Sequence, residues 1–194
     1  MCGRYLIEEE AYADIMLLLN DPEAAASIAR GEVFPTNTAP VITIDGAAAV
    51  KWGFPHWKGA GVIINARAET AAEKNMFRKP LITQRCVVPS SGFFEWGRNG
   101  AGNKKDKYLL REPGERMLFM AGMLNTFRDP TGCDYSAFVI LTTAANDSVA
   151  PIHDRMPAIL AYGERERWLD DDIFMEHVLR RPGPELSPDR CADM

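Results

Sequence analysis

The sequence predicts an α+β fold, in which a single mostly β domain carries helices near both ends of the chain. Short apolar segments bounded by glycine, proline or asparagine fill the middle of the chain, as strands joined by turns do. Helical patterns occur near the two ends. The 194 residues are enough for one domain with a hydrophobic core, and the apolar fraction of 46% is that of an ordinary globular protein.

Two helices are predicted close to the start of the chain. The segment "EEEAYADIMLLL" has an apolar stripe and acidic residues in its first turn, where the helix dipole favours negative charge. In "NDPEAAASIARG", Asp21 can cap a second short helix, Pro22 suits its first position and Gly31 ends it.

The middle of the chain is predicted to form strands, because its apolar segments are short and rich in β-branched and aromatic residues. The segments are "VITI", "AAAVKW", "GVII", "CVVP", "GFFEW", "KYLLR", "MLFMAGM" and "SAFVILTT". The loop "GRNGAGNKKDK" between two of them is predicted to close a hairpin. Its glycines lack the G-x-G-x-x-G spacing, so we expect no nucleotide-binding turn there.

A helix is predicted near the end of the chain, in "GERERWLDDDIFMEHVLRR". Its apolar side would contain Trp168, Ile173, Phe174 and Val178. Residues 182–194 are predicted to be a loose tail. No repeat or linker interrupts the pattern, so one domain is expected over residues 1–194.

We expect a cytoplasmic protein with no membrane partner, metal or cofactor. The N-terminus has no basic segment followed by an apolar core, and stretches such as "IMLLL" are too short to cross a bilayer. The four cysteines form no C-x-x-C pair, so a zinc or redox site is not expected. Cys86 lies in a predicted buried strand, whereas Cys2 is placed where its backbone amine could also react.

Charge is unevenly distributed along this acidic chain, whose net charge is −5. Residues 51–111 carry 12 basic and 4 acidic side chains, a local balance of +8. A basic middle predicts one positive face, because the overall charge does not prevent a local patch. A lysine-rich solvated loop explains "NKKDK" equally well, but it explains the arginines less well.

Polar residues interrupt apolar segments at three places where packing does not require them. Asn65 and Arg67 follow the apolar run of "VIINARAET", Glu95 stands between aromatics in "GFFEWG", and His153 precedes an apolar segment in "APIHDRMPAIL". Each has an ordinary explanation: Glu95 as a buried salt-bridge partner, His153 as a hydrogen-bonded strand end, and Arg67 as a partner of an acidic neighbour. The usual hydrolase and P-loop motifs are absent.

Taken together, these pieces resemble a known family. The motifs "MCGRY", "WGFP", "INARAET", "RCVVPSSGFFEW", "MAGM", "LTTAAN" and "IHDRMP" occur in the order found in the SRAP family. Its members are named SOS response-associated peptidases and are regarded as abasic-site processing proteins. The resemblance runs from Cys2 to about Leu160 and implies a fold of barrel-like antiparallel sheets. Many relatives continue beyond it in a segment that "ELSPDRCADM" does not match.

The resemblance implies a use for Cys2. Removal of Met1 would expose a cysteine with a free α-amine, which can condense with the ring-opened aldehyde of an abasic site. The thiol would then close a five-membered thiazolidine. With reference pKa values of ~7.7–8.0 for the amine and ~8.5 for the thiol, we expect both groups to be partly nucleophilic at neutral pH.

The matched positions acquire roles by the same resemblance. Glu95 would shuttle protons, with burial raising its pKa, and His153 would act as acid or base on the sugar oxygen. Asn65 would hold the sugar or the adduct. Arg4 and Arg67 would bind the phosphates that flank the lesion. Further DNA contacts are predicted at the following positions: Arg78, Lys79 and Arg85 for phosphates, and Trp52 or Trp57 for base stacking.

The expected partner is single-stranded DNA that contains abasic sites, bound by a monomer that associates with the nucleoid. The expected chemistry is lyase-like self-crosslinking. One alternative is a cysteine peptidase that uses Cys2, Glu95 and His153 and removes Met1. Another is a non-covalent module for single-stranded DNA. The residues do not separate the first two, but the basic middle favours a DNA channel over a peptide groove.

Overall fold

A computed structural model describes residues 2–18, 26–56, 59–97 and 105–191. Helices in these ranges are α1 Glu9–Leu18, α2 Ala68–Ala71, α3 Asn75–Thr83, α4 Arg165–Asp170 and α5 Asp172–Arg180, with a short 3₁₀ turn at Tyr162–Glu164. The strands are β1 Tyr5–Ile7, β2 Gly31–Val33, β3 Thr38–Thr43, β4 Gly46–Trp52, β5 Phe54–Pro55, β6 Val62–Ile63, β7 Asn65–Arg67, β8 Arg85–Ser90, β9 Gly92–Trp96, β10 Lys107–Arg111, β11 Leu118–Arg128, β12 Asp134–Ala144, β13 Arg155–Pro157, β14 Ile159–Leu160 and β15 Ser187–Arg190.

Five strands close into a barrel in the order β12–β4–β3–β8–β11, because β11 also pairs with β12. Most of these pairings are antiparallel. The pairing of β12 with β4 is parallel, with Ala137 opposite Lys51, and β7 also lies parallel to β12. The predicted mostly β fold with barrel-like sheets and flanking helices is therefore confirmed, with a few parallel pairings inside the barrel sheet.

A second sheet places the start of the chain beside the "GFFEW" strand. Its order is β15–β10–β9–β1–β2, and every pairing is antiparallel. Tyr5 of β1 lies opposite Phe93 of β9, and the Phe94 amide donates to the Arg4 carbonyl over 2.9 Å. The residues before β1 are thus held against β9 by backbone hydrogen bonds.

Two hydrophobic clusters lie on opposite faces of the barrel strands. The alternation along β8 shows this: Cys86 and Val88 join one cluster, and Val87 between them joins the other. The first cluster connects the barrel to the second sheet and contains Cys2. The second packs the barrel against helices α3, α4 and α5. Because β8 is buried on both faces, its central residues "CVVP" form an apolar run without polar alternation.

The eight predicted strand segments all contain strands, and the first predicted helix is α1. The hairpin is confirmed, since Trp96 and Lys107 are paired across it, although most of its loop lies outside the described residues. The start of the second predicted helix, at Asp21 and Pro22, also lies outside them. The sequence pattern does not predict helix α3, because Pro80 lies inside the helix and a proline usually indicates a helix break.

The helical prediction near the end of the chain is confirmed, but the segment forms two helices, α4 and α5, that are separated at Asp171. The Asp171 carboxylate accepts a hydrogen bond from the Phe174 amide over 2.9 Å and caps the new helix. The break shifts the helical phase. Trp168, Phe174 and Val178 are buried as predicted, but Ile173 is 84% exposed.

The tail predicted to be loose is also corrected. Residues Ser187–Arg190 form β15, an edge strand paired with β10 from Ser187 to Arg190. Before it, Leu186 is buried, and the Asn146 side chain donates to the Gly183 and Pro184 carbonyls. Backbone pairing at a sheet edge does not require apolar side chains, so the polar composition hides this strand. Residues 192–194 lie outside the described part.

Within the described ranges, no helix is both long enough and apolar enough to cross a membrane.

Candidate active site

Cys2 lies at the inner face of the second sheet, just before β1. Cys2 is fully buried in the unprocessed chain, which still begins with Met1. The thiol sulfur lies 3.8 Å from the Arg4 carbonyl oxygen. A terminal cysteine is therefore enclosed by the fold, although chain ends are usually loose.

Asn65 holds the backbone of Cys2. Strand β7 runs parallel to β12, with Asn65 opposite Ile140, and this pairing aims the Asn65 side chain at the chain start. Its Nδ2 donates to the Cys2 carbonyl oxygen over 2.8 Å. Its Oδ1 is buried and has no hydrogen-bond partner among the described residues. A buried acceptor of this kind is available to an amine or hydroxyl of a ligand.

Glu95 provides a buried carboxyl group next to Cys2. It lies in β9 and is 3% exposed. Burial raises the pKa of Glu95, and the interaction with His153 acts in the opposite direction. The raised pKa agrees with the sequence-based expectation. A carboxyl with a raised pKa can both donate and accept a proton closer to neutral pH than an ordinary glutamate can.

The Cys2 thiol differs from the expectation of partial ionisation. Burial raises the pKa of Cys2 well above its usual range, and the negative charge of Glu95 raises it further. The thiol of the unprocessed chain is therefore protonated at neutral pH. A reaction at this sulfur needs a group that takes its proton, and the Glu95 carboxyl group is near enough for its charge to act on the thiol.

His153 completes the site from the turn that precedes β13. Its Nδ1 lies 3.0 Å from the Arg155 amide and also 3.0 Å from the Asp154 carboxylate. Only one of these contacts is favourable at a time. A neutral ring accepts the amide hydrogen at Nδ1 and carries its own proton on Nε2, whereas a protonated ring donates from Nδ1 to Asp154. The turn thus accommodates both charge states.

The turn that carries His153 is fixed by the next charged residue. The Arg155 guanidinium donates to both Glu69 oxygens over 2.5 and 2.9 Å and to the Thr142 carbonyl over 2.5 Å. Glu69 lies in α2, directly after the strand that contains Asn65. This ion pair therefore ties the His153 turn to the segment that holds Cys2.

The fold brings the four predicted catalytic residues together from four separate segments. Asn65 is hydrogen-bonded to Cys2, and charge interactions link Cys2 with Glu95 and Glu95 with His153. The arrangement unites an amine-bearing terminus, a thiol, and two groups that can move protons.

Arg4 is half-buried and already has an anionic partner. Its guanidinium donates to Glu32 over 2.9 Å, and it lies 4.3 Å from the centre of the Phe34 ring and 5.0 Å from that of Trp96. The family resemblance predicts that Arg4 binds phosphate, and it gives no indication of the pairing with Glu32. No local signal near Glu32 indicated it, because its partner lies 28 residues away.

Arg67 and Arg78 are exposed on one side of the site. Arg67 borders an open groove of about 740 Å³ that is also lined by Asn65, Lys74 and Phe77. Arg78 borders a smaller neighbouring groove of about 270 Å³, together with Lys79. Four exposed cations of the basic middle therefore lie along these two grooves, and a positive DNA-binding face there stays a prediction. Lys107 and Arg111 of the basic middle instead pair with Glu32 and Glu8.

The prediction that Arg85 binds DNA is wrong. Its side chain is 2% exposed and pairs with Asp172 over 2.8 Å. Its Nε donates to the Trp168 carbonyl over 2.5 Å, and its Nη1 donates to that of Leu81 over 3.1 Å. Arg85 therefore joins helices α3, α4 and α5 to the barrel. Its sequence neighbours could not show that these helices cover it.

Replacing Arg85 by alanine is expected to lower the free energy of unfolding by about 2–4 kcal/mol, because buried carbonyls lose a charged donor. Urea denaturation measures this. Arg180→Ala removes an exposed arginine of α5 and should change stability by no more than ~0.5 kcal/mol. Weaker DNA binding by the Arg85 variant without a loss of stability would contradict this structural role.

The stacking prediction fails for Trp52. This side chain is fully buried, stacks on Phe138 and donates from its indole nitrogen to the Ile64 carbonyl over 3.1 Å. Trp52 is therefore a core residue of the first hydrophobic cluster. Trp57, the other stacking candidate, lies outside the described residues.

Comparisons with known proteins agree on one relationship. The family model "SOS response associated peptidase (SRAP)" matches residues 1–185. "Abasic site processing protein YoqW" of Bacillus subtilis (strain 168) is 35% identical, over 93% of this chain and 87% of its own length. "Abasic site processing protein YoaM" of the same strain is 33% identical, over 88% and 79%. A crystal structure of a Bacteroides thetaiotaomicron protein superposes with a TM-score of 0.83 at 28% identity, covering 99% of this chain and 93% of that one.

Proposed function

The chain belongs to the SRAP family, and from this premise we propose that it processes abasic sites in single-stranded DNA by binding them covalently through Cys2. The relatives named above are abasic site processing proteins. One observation supports the covalent chemistry most strongly: the first residues of the chain are enclosed with Asn65 and Glu95, where a loose terminus would otherwise be expected.

The proposed reaction begins after Met1 is removed. The free α-amine of Cys2 attacks C1′ of the ring-opened sugar, Glu95 gives a proton to the departing hydroxyl group, and loss of water gives a protonated imine. The thiol then adds to the carbon–nitrogen double bond: sulfur bonds to C1′, the electron pair of the double bond goes to nitrogen, and the thiol proton returns to Glu95. The products are a thiazolidine and one water molecule, and no oxidant or metal is consumed.

Each residue of the site has a defined task in this proposal. His153 exchanges a proton with the sugar oxygen when the ring opens. Glu95 donates a proton to the departing hydroxyl group and then takes the proton of the Cys2 thiol. Asn65 keeps the Cys2 carbonyl in place through Nδ2 and offers its buried Oδ1 to the reacting amine. Only after the carboxyl group has given up its proton can it accept that of the thiol, which burial keeps protonated until then.

The thiol environment favours crosslinking over peptidase action. A peptidase cysteine attacks as a thiolate and needs a lowered pKa. Burial and Glu95 instead raise the pKa of Cys2. In the crosslinking route the amine reacts first, and the sulfur is delivered to a carbon that is already held beside it, which compensates for a weakly ionised thiol.

Intact mass of the purified protein, before and after incubation with an oligonucleotide that carries one abasic site, tests the proposal. We expect loss of the Met1 mass, followed by a heat-stable adduct of protein and DNA. A processed protein that forms no adduct would contradict the covalent mechanism. Cleavage of added peptides by the same preparation would favour the peptidase.

Arg67 is proposed to bind a phosphate beside the lesion, because it is exposed next to Asn65 in the positive groove. Arg67→Glu should weaken single-strand binding at low salt and make log K less steep in log [salt], by roughly 1 per lost phosphate contact. Fluorescence anisotropy over a salt series measures both. Arg180→Glu changes the charge equally on the outside of α5 and is the control. Equal effects of the two variants would contradict the assignment.

Three further expectations remain proposals. We propose that residues 1–194 form one domain, since one cluster contains buried residues from Cys2 to Leu186. We also propose that the monomer is the active unit and that it acts in the cytoplasm, on the nucleoid.

A further inference from the structure

The outer face of the second sheet carries a cluster of charged and aromatic residues beside the chain start. Alternation along the strands separates it from the buried face, which contains Tyr5 and Val33. Arg4, Glu32 and Phe34 lie on the opposite face, next to this pair. The cluster is therefore close to Cys2 in the chain but points away from the core.

Glu32 is shared by two cations in this cluster. Its Oε2 accepts from Arg4 over 2.9 Å, and its Oε1 accepts from the Lys107 ammonium group. The three side chains are 25–30% exposed, so solvent and ligands reach them. Burial raises the pKa of Glu32, but the hydrogen bonds from Lys107 and Arg4 outweigh it, and the carboxyl group is ionised at neutral pH.

Both cations of this cluster lie against aromatic rings. Arg4 lies over Phe34 and Trp96, and the Lys107 nitrogen lies 4.0 Å from the centre of the Phe94 ring. Phe34 is 42% exposed, and its amide is fixed by the Asn37 side chain over 2.9 Å. Of these rings Phe34 is exposed, whereas Phe94 is buried beneath Lys107. Cations beside an exposed ring are typical of surfaces that bind single-stranded nucleic acid, in which phosphates contact the cations and bases stack on the ring.

We propose that Arg4 and Lys107 together form a phosphate subsite for the DNA strand, and that Glu32 occupies this subsite in the DNA-free protein. The inference rests on the proposed function. The Glu32 carboxylate bridges the two cations with its two oxygens, as two oxygens of a phosphate diester can. When DNA binds at this subsite, a phosphate replaces the Glu32 carboxylate, so Glu32 competes with DNA and weakens the affinity. Phe34 would then lie beside the bound nucleotide.

Glu32→Gln tests the subsite, because the amide keeps the size of the side chain and removes its charge. Glu8→Gln is the matched control: Glu8 pairs with Arg111 of the same sheet and is itself partly exposed. Binding of an undamaged single-stranded oligonucleotide is measured by fluorescence anisotropy over a salt series. We expect Glu32→Gln to bind about three- to tenfold tighter than Glu8→Gln, the effect of releasing two weak ion pairs.

A second variant identifies Lys107 as part of the subsite. Adding Lys107→Gln to Glu32→Gln should remove most of the gain in affinity, whereas adding it to the wild type should have a smaller effect. Thermal melting of each variant shows that it is folded. Glu32→Gln binding no tighter than Glu8→Gln would overturn the proposal, as would a gain in affinity that survives the loss of Lys107.

Failure of the inference can be distinguished from failure of the proposed function. Adduct formation with abasic DNA is measured separately on the wild type. A wild type that binds DNA without forming an adduct contradicts the covalent mechanism and leaves the comparison of affinities valid. A wild type that forms the adduct while Glu32→Gln and Glu8→Gln bind equally overturns only the subsite.

Discussion

Cys2→Ala should abolish the heat-stable adduct with abasic DNA, to below the detection limit of a denaturing gel. Alanine lacks the sulfur that closes the thiazolidine, and an imine formed by its amine hydrolyses on heating. Non-covalent binding should persist, because the proposed phosphate contacts lie elsewhere. The measurement is a denaturing gel after heating, with anisotropy as the parallel measurement of binding.

Cys2→Ser separates the two bond-forming steps. Serine keeps the amine and a poor nucleophile, so we expect an adduct only when a hydride reagent reduces the imine. Cys133→Ala removes an exposed thiol and should leave the adduct unchanged. A heat-stable adduct with Cys2→Ala would refute the role of the thiol, and its loss in Cys133→Ala would point to a different cysteine.

Glu95→Gln should slow adduct formation by about 10²–10⁴-fold, the usual contribution of a positioned proton-transfer group. Glutamine keeps the shape of the side chain but neither takes the thiol proton nor gives one to the departing hydroxyl group. Single-turnover rates at several pH values measure the effect. The wild-type profile should contain a step above the ordinary glutamate range, because burial raises the pKa of Glu95, and the variant should lack it.

Stability distinguishes this catalytic role from a structural one. Because its pKa is raised on folding, Glu95 favours the fold at pH values below the ordinary glutamate pKa, and this contribution is lost as pH rises through the folded value. Glu95→Gln should therefore melt no lower than the wild type at neutral pH. Glu112, whose pKa is also raised by burial, is the control: Glu112→Gln should keep the full reaction rate. A Glu95 variant that reacts slowly because it is unfolded would contradict the catalytic assignment.

The strands of the barrel could be predicted because their side chains carry the signal locally. "CVVP" and "SAFVILTT" are apolar and β-branched, and both lie in strands that are largely buried. Strands β2 and β15, with the sequences "GEV" and "SPDR", carry no such signal. They are short and form because a neighbouring strand offers unpaired backbone groups, which no local pattern records.

The basic residues illustrate the same limit. Arg67 and Arg85 look alike in the sequence, since each follows or begins an apolar segment of the basic middle. One is exposed beside a groove, and the other is covered by helices whose residues lie more than 80 positions later. Whether a charge is available to a ligand depends on what packs over it, and that is a property of the folded chain.

The order of the motifs was sufficient to identify the family and the residues of the candidate site, because reactive side chain types are read directly from the sequence. The protonation of those residues and their hydrogen-bond and ion-pair partners could be determined only from the tertiary structure. The protonation of Cys2, the lack of a partner for Asn65 Oδ1 among the described residues, and the pairing of Arg4 with Glu32 all depend on desolvation and on distances between segments far apart in the chain. Electrostatic interactions act through space, so only the fold sets their strength.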